Sequence, residues 1–158
     1  MRTATTCQMR TKSSGQESPG AKSRSPRVLV VERHEGIRDA LCANLNHRGV
    51  EVVAVAADGF EALEKARMLA PDVVILDFHM PGCGGLKAAR AIRAEMPHIR
   101  IILLTMWDEE IYSRAATKCG AIACFPKDVA TRELVSVMKK AERVAREQSP
   151  ADAQRAPV

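Results

Sequence analysis

Seven polar residues stand at the ends of short apolar runs, and their types are those that handle charge. Glu32, Arg33 and His34 follow the run at 28–31, Asp77 and His79 follow "VVIL", Thr105 closes "IILLT", and Lys127 follows "ACFP". A carboxylate accepts hydrogen bonds or ligates a hard cation, and an ammonium balances negative charge. Arginine only donates and keeps its proton, so Arg33 cannot be an oxygen ligand. Each residue also has a plain structural reading. An Asp before a loop commonly caps a turn, a strand-end Thr is β-branched filler, and a Lys is commonly solvated. The chemistry therefore depends on whether the fold brings these residues to one edge.

The pattern between them supplies that fold. "RVLVVE" reads as a strand apolar on both faces, followed by a helix, "EGIRDALCANLNHRG", with Ile37, Leu41 and Leu45 on one side and Gly49 as its stop. "VEVVAVA" is the second strand, and "DGFEALEKARMLA" the second helix with Asp58 as N-cap. "PDVVILD", "IRIILLT" and "AIACF" are three further strands, each followed by a helical segment. Five such units predict a doubly wound α/β domain with a parallel sheet covered on both sides. Ligands of such folds sit at the carboxyl ends of the strands. A carboxylate (Asp77), a hydroxyl (Thr105) and an ammonium (Lys127) thus converge on one edge, while no GxxxxGK loop supports nucleotide binding.

The 158 residues suit one domain, expected over 27–146, with a basic disordered leader at 1–26 and a flexible tail at 147–158. An aromatic share of 3% leaves the core to aliphatic residues and gives little for base stacking. The net charge of +5 belongs to the residues before Val28, the leader together with Arg27, which hold six basic residues and one acid, while the remainder is balanced at 18 of each. Attraction to nucleic acid is therefore expected from the leader alone. The leader's Arg/Ser-rich makeup also fits a transit peptide, though without a clear amphipathic helix. Five cysteines without a CxxC pair argue against a disulfide framework or a zinc knuckle and fit a reducing cytoplasm. No run has the length of a membrane span.

On "VVILDFHMPGCGGL", "IILLTMWDEEIY" and "GAIACFPKD", the sequence resembles the receiver domains of two-component response regulators. "LTMWDEE" with "PKD" is most similar to the NarL/LuxR branch. The resemblance covers Arg27 to Arg146 and implies a CheY-like (flavodoxin-like) fold, five parallel strands in order 2-1-3-4-5 with five helices. It implies Asp77 as phosphoacceptor, Thr105 and Lys127 as partners of the phosphoryl group, and Mg2+ held by Glu32, Asp77 and the main-chain carbonyl of His79. A histidine kinase or phosphotransfer protein is the implied donor.

The sequence departs from that family pattern where two adjacent acids are expected, because the second position is Arg33. Glu32 and Asp77 against Arg33 and Lys127 give a net charge of zero, which removes the electrostatic demand for magnesium. Arg33 is expected either to form a two-toothed pair with Asp77, masking it, or to swing outward beside a weakened metal site. A second departure is Cys124, where the family commonly has an aromatic that moves with the threonine, and where Phe125 should face the opposite side. Cys83 is the thiol expected to be exposed, and a soft-metal rim of His34, His79 and Cys83 is a weaker alternative.

The reading that follows is a non-enzymatic, stand-alone phosphorelay receiver in the cytoplasm, a monomer or weak homodimer, with output through a downstream protein. Sequence-specific DNA binding is not expected, because no helix-turn-helix follows Lys127, and membrane association is not expected, because no apolar run has the length of a span. The rival is a phosphorylation-independent binding module. A phosphohydrolase of the haloacid-dehalogenase type is disfavoured, because His79 stands where that class needs a second Asp.

Overall fold

The computed structural model describes residues 24–82, 84–107, 110–128 and 131–147. Most of the leader, the tail after Glu147 and Cys83 lie outside these residues. Five strands, β1 (Arg27–Val31), β2 (Glu51–Ala56), β3 (Val73–Asp77), β4 (Arg100–Thr105) and β5 (Ala123–Pro126), alternate with five helices. The helices are α1 (Glu35–His47), α2 (Gly59–Leu69), α3 (Gly84–Glu95), α4 (Glu110–Lys118) and α5 (Thr131–Glu147). All strand pairs are parallel and the sheet order is β2-β1-β3-β4-β5, as expected.

β1, β3 and β4 lie inside the sheet, and their β-branched and aliphatic side chains are buried on both faces, which is why they read as continuous apolar runs. One core lies on the side of Leu29, Val31, Leu76, Ile92 and Leu103, and the other on the side of Val30, Leu45, Ile75, Leu134 and Met138. Cys124 packs against the first and Phe125 against the second, so alternation along β5 holds.

Local signals place the helix ends. Asp58 caps α2 by accepting from the Phe60 and Glu61 amides, 2.9 Å each. Gly49, just past α1, has φ +77°, a left-handed conformation that glycine adopts without a Cβ penalty. Ile37, expected on the apolar side of α1, is instead 38% exposed, and Cys42 is buried with Leu45. Residues 24–26, at the end of the expected leader, are fastened to the domain. Arg24 pairs with Asp72 at 3.1 Å, and buried Pro26 accepts from the Glu51 amide at 3.1 Å. Among the described residues no helix is long and apolar enough to cross a membrane.

Candidate functional site

β1, β3, β4 and β5 end at one edge of the sheet, so Glu32, Asp77, Thr105 and Lys127 meet there. Among the described residues Glu32, Asp77 and Thr105 are the buried polar ones, at 1%, 1% and 2% exposure. The β3–β4 register sets Asp77 beside Leu104, and the Lys127 amide donates to the Thr105 carbonyl at 2.8 Å, which fixes the β5 end against β4.

Lys127 joins the two acids. Its Nζ lies 2.7 Å from Glu32 Oε2 and 2.9 Å from Asp77 Oδ2, with the lysine side chain 9% exposed. The Asp77 contact is an ion pair whose angles fall outside hydrogen-bond geometry, so buried Oδ2 has no hydrogen bond. The other Asp77 oxygen accepts from the His79 amide at 3.0 Å. Glu32 Oε1 accepts from the His34 amide at 2.8 Å and lies 2.9 Å from His34 Nδ1.

These contacts set the charge states. Burial works against the Glu32 carboxylate, but the Lys127 ammonium and the His34 amide and ring outweigh it and hold its pKa below the ordinary value. Burial likewise works against the Lys127 ammonium, and its hydrogen bond to Glu32 and ion pair with Asp77 prevail, raising its pKa. The site therefore holds the Glu32 carboxylate and the Lys127 ammonium in their ionised forms.

Arg33 is exposed and pairs with neither Asp77 nor Glu32, which overturns the two-toothed pair expected from the sequence and supports the outward orientation. The chain alternates direction at the strand end, so with Glu32 pointing inward its neighbour points to solvent. The charge inside the pocket is consequently −1, from Glu32, Asp77 and Lys127, rather than the zero counted with Arg33. A divalent cation retains an electrostatic reason to bind. Donor atoms of Glu32, His34 and Asp77 lie within 4.8 Å of one another, and Asp77 also carries an oxygen without a hydrogen bond. Two carboxylates fit a magnesium ion that keeps several waters, with one carboxylate fewer than the family pattern supplies.

Two relationships were not visible in the sequence. His34 folds back onto Glu32 instead of joining His79. His79 sits among Phe78, Trp107 and Tyr112, with ring centroids 5.0–5.3 Å away. Trp107 and Tyr112 are stacked at 5.9 Å, and the Trp107 amide donates to Thr105 Oγ1 at 3.3 Å. No periodicity links residues 78, 79, 107 and 112, since only the adjacency of β3 and β4 brings their loops together.

The order 2-1-3-4-5 with buried acids at the carboxyl edge defines the class, a CheY-like α/β domain. Residues 28–139 match the response regulator receiver domain family, and the chain belongs to that family. Response regulator GacA of Pseudomonas viridiflava is 36% identical over 114 residues, 72% of this chain and 53% of that protein. Response regulator UvrY of Escherichia coli (strain K12) is 35% identical over 113 residues, 71% and 52% of the respective lengths. The signal receiver domain of NarL from Mycobacterium tuberculosis superimposes with a TM-score of 0.67 at 31% identity, covering 80% of this chain and 99% of that one. A LuxR-family response regulator from Aurantimonas sp. SI85-9A1 gives a TM-score of 0.70 at 32% identity, over 74% and 84%. The chain spans about half the length of the curated relatives it matches.

Proposed function

We propose that the chain receives a phosphoryl group on Asp77 within a two-component phosphorelay. The observation that carries this reading is Asp77 Oδ2, a buried carboxylate oxygen without a hydrogen bond, 2.9 Å from the Lys127 ammonium. With Oδ1 engaged by the His79 amide, Oδ2 is the oxygen left to attack phosphorus. The P–N bond of a kinase or phosphotransfer-protein phosphohistidine, or the P–O bond of a small acyl phosphate, breaks as the new P–O bond forms. The leaving group departs with the bonding pair.

The added charge of about −1.5 to −2 then competes with Glu32 for Lys127, and Thr105 Oγ1 is placed to donate to a phosphoryl oxygen. Glu32, Asp77 and the His79 main-chain carbonyl would hold Mg2+, which when bound neutralises charge on the phosphoryl oxygens. Arg33 weakens that site by removing one carboxylate without blocking it. The chain itself acts as an acceptor and carries out no turnover of a separate substrate.

Output through a protein partner is supported by Met106, Trp107, Ile111 and Ile122, exposed large hydrophobics at and around α4. A second reading, a binding module that needs no phosphorylation, is favoured by Arg33 at a metal-ligand position. Intact mass after incubation with acetyl phosphate and magnesium tests both. A gain of one phosphoryl group that is lost in Asp77→Asn supports the first, and no gain supports the second.

A further inference from the structure

We infer that the imidazole of His34 stands in for the acid that Arg33 does not supply, giving the Glu32–Asp77 pocket a nitrogen ligand and a preference for Zn2+ over Mg2+. The inference deepens the reading above, because it rests on Glu32 and Asp77 as the cation site and names the ion that they select together with His34. Among the described residues, ligand atoms of Glu32, His34 and Asp77 all lie within 4.8 Å of one another. Ligands of one zinc ion, with bonds of about 2.1 Å, stand about 2.9–4.2 Å apart, so a closure of less than about 1 Å completes the set. Glu32 Oε1 and His34 Nδ1, at 2.9 Å, have the spacing of two adjacent ligands.

The posture of His34 singles it out. Its side chain is 58% exposed, yet the ring turns back onto a carboxylate that is 1% exposed. That carboxylate is served without it, Oε1 by the His34 amide at 2.8 Å and Oε2 by Lys127 at 2.7 Å. A neutral imidazole carries its proton on either ring nitrogen. With the proton on Nε2, Nδ1 and Oε1 present neighbouring lone pairs, which a cation held by both would stabilise. Asp77 is a second, independent sign of such a cation, being 1% exposed with an oxygen that has no hydrogen bond.

The donor set selects among divalent ions. Mg2+ demands oxygen ligands in near-ideal octahedral geometry and dehydrates reluctantly, so an imidazole adds little to its affinity. Ca2+ calls for six to eight oxygens, more than two carboxylates offer. Zinc accepts mixed nitrogen and oxygen ligands without a geometric preference of its own, and imidazole suits it. The cost of Arg33 therefore falls on Mg2+, which loses an oxygen, while zinc gains a nitrogen from the next residue along the chain.

Titration of the full chain with Zn2+ and with Mg2+, followed by the fluorescence of Trp107, tests the inference. The Trp107 ring lies 5.0 Å from that of His79, two residues beyond Asp77. Zn2+ should bind at least about 100-fold more tightly than Mg2+. His34→Asn keeps a side-chain donor for Glu32 but no imidazole, and His34→Ala keeps neither. Each should weaken Zn2+ binding by about tenfold or more and leave Mg2+ binding within about twofold. Pulsed EPR of the protein loaded with Mn2+ should show the nitrogen hyperfine coupling of a directly bound imidazole, absent from His34→Asn.

Mg2+ binding as tightly as Zn2+ would overturn the inference, as would wild-type protein that shows no nitrogen coupling. Equal losses of Zn2+ and Mg2+ affinity in the His34 variants would reduce His34 to a group that orients Glu32. Zinc affinity unchanged in those variants but lost in Cys83→Ser would place the ion on the thiol and likewise refute it. Phosphoryl uptake in magnesium is read separately by intact mass, so failure of this inference is distinguishable from failure of Asp77 as the acceptor.

Discussion

Lys127 Nζ and Glu32 Oε2, 95 residues apart in sequence, meet at 2.7 Å beneath the surface of the domain. The contact ties the end of β5 to the end of β1 and, through the same ammonium, to Asp77 on β3 between them. The bridge organises the site before any phosphoryl group arrives.

Glu32→Gln removes one carboxylate from that bridge and leaves Lys127 with Asp77 alone. Loss of one partner of a buried pair typically costs 3–5 kcal/mol. Because Asp77 remains as a partner, a loss of about 1–3 kcal/mol is expected here, read as a lower urea midpoint with an unchanged slope. Lys127→Met should cost more, since it leaves both buried carboxylates uncompensated.

The bridge also predicts the pH dependence. The Glu32 pKa is depressed in the folded state, so its contribution is present above the ordinary value of 4.5 and is lost as pH falls through the lower folded value. The Lys127 pKa is raised, so its contribution is fully present below the ordinary value of 10.5 and is lost as pH rises through the higher folded value. Urea midpoints measured across both windows should decline at each end in wild type, and the acid-side decline should diminish in Glu32→Gln.

Gly85 is a positional requirement for Asp77. A Cβ at Gly85 would sit 2.2 Å from the Asp77 carbonyl oxygen and 2.9 Å from the Phe78 Cα, both main-chain atoms that cannot rotate away. Gly85→Ala should destabilise the domain by about 1–3 kcal/mol and slow phosphoryl uptake by displacing the end of β3. Gly49→Ala meets open space and should cost about 1–2 kcal/mol through its positive φ alone, with phosphoryl uptake unchanged. Urea denaturation and intact mass together separate the two cases.

Arg33→Asp should leave stability nearly unchanged, because the arginine is exposed and joins no ion pair of the site. It should strengthen magnesium binding at least tenfold by restoring a third acid. Trp107, beside Thr105 and His79, provides the fluorescence signal for the titration.

Much of this architecture was written in local patterns. Apolar runs ending in Asp77, Thr105 and Lys127 gave the strands and their shared edge, since parallel strands in a doubly wound sheet must end together. Asp58 and Gly49 marked helix ends because capping and positive φ are decided by single residues. Arg33 was left between two orientations because a side chain's direction at a strand end depends on its neighbour's burial, which residue type does not encode. The hold of His34 on Glu32 and the ring cluster around His79 depend on loop conformation and on contacts across 28 or more residues.

The central claim, that Asp77 accepts a phosphoryl group although Arg33 stands in place of an acid, is tested most directly by intact mass after acetyl phosphate and magnesium. Wild type, Asp77→Asn and Arg33→Asp are compared over time. A single phosphoryl gain in wild type, none in Asp77→Asn and faster gain in Arg33→Asp is the predicted result. No gain in wild type with magnesium at saturating concentration would contradict it and identify the chain as a binding module.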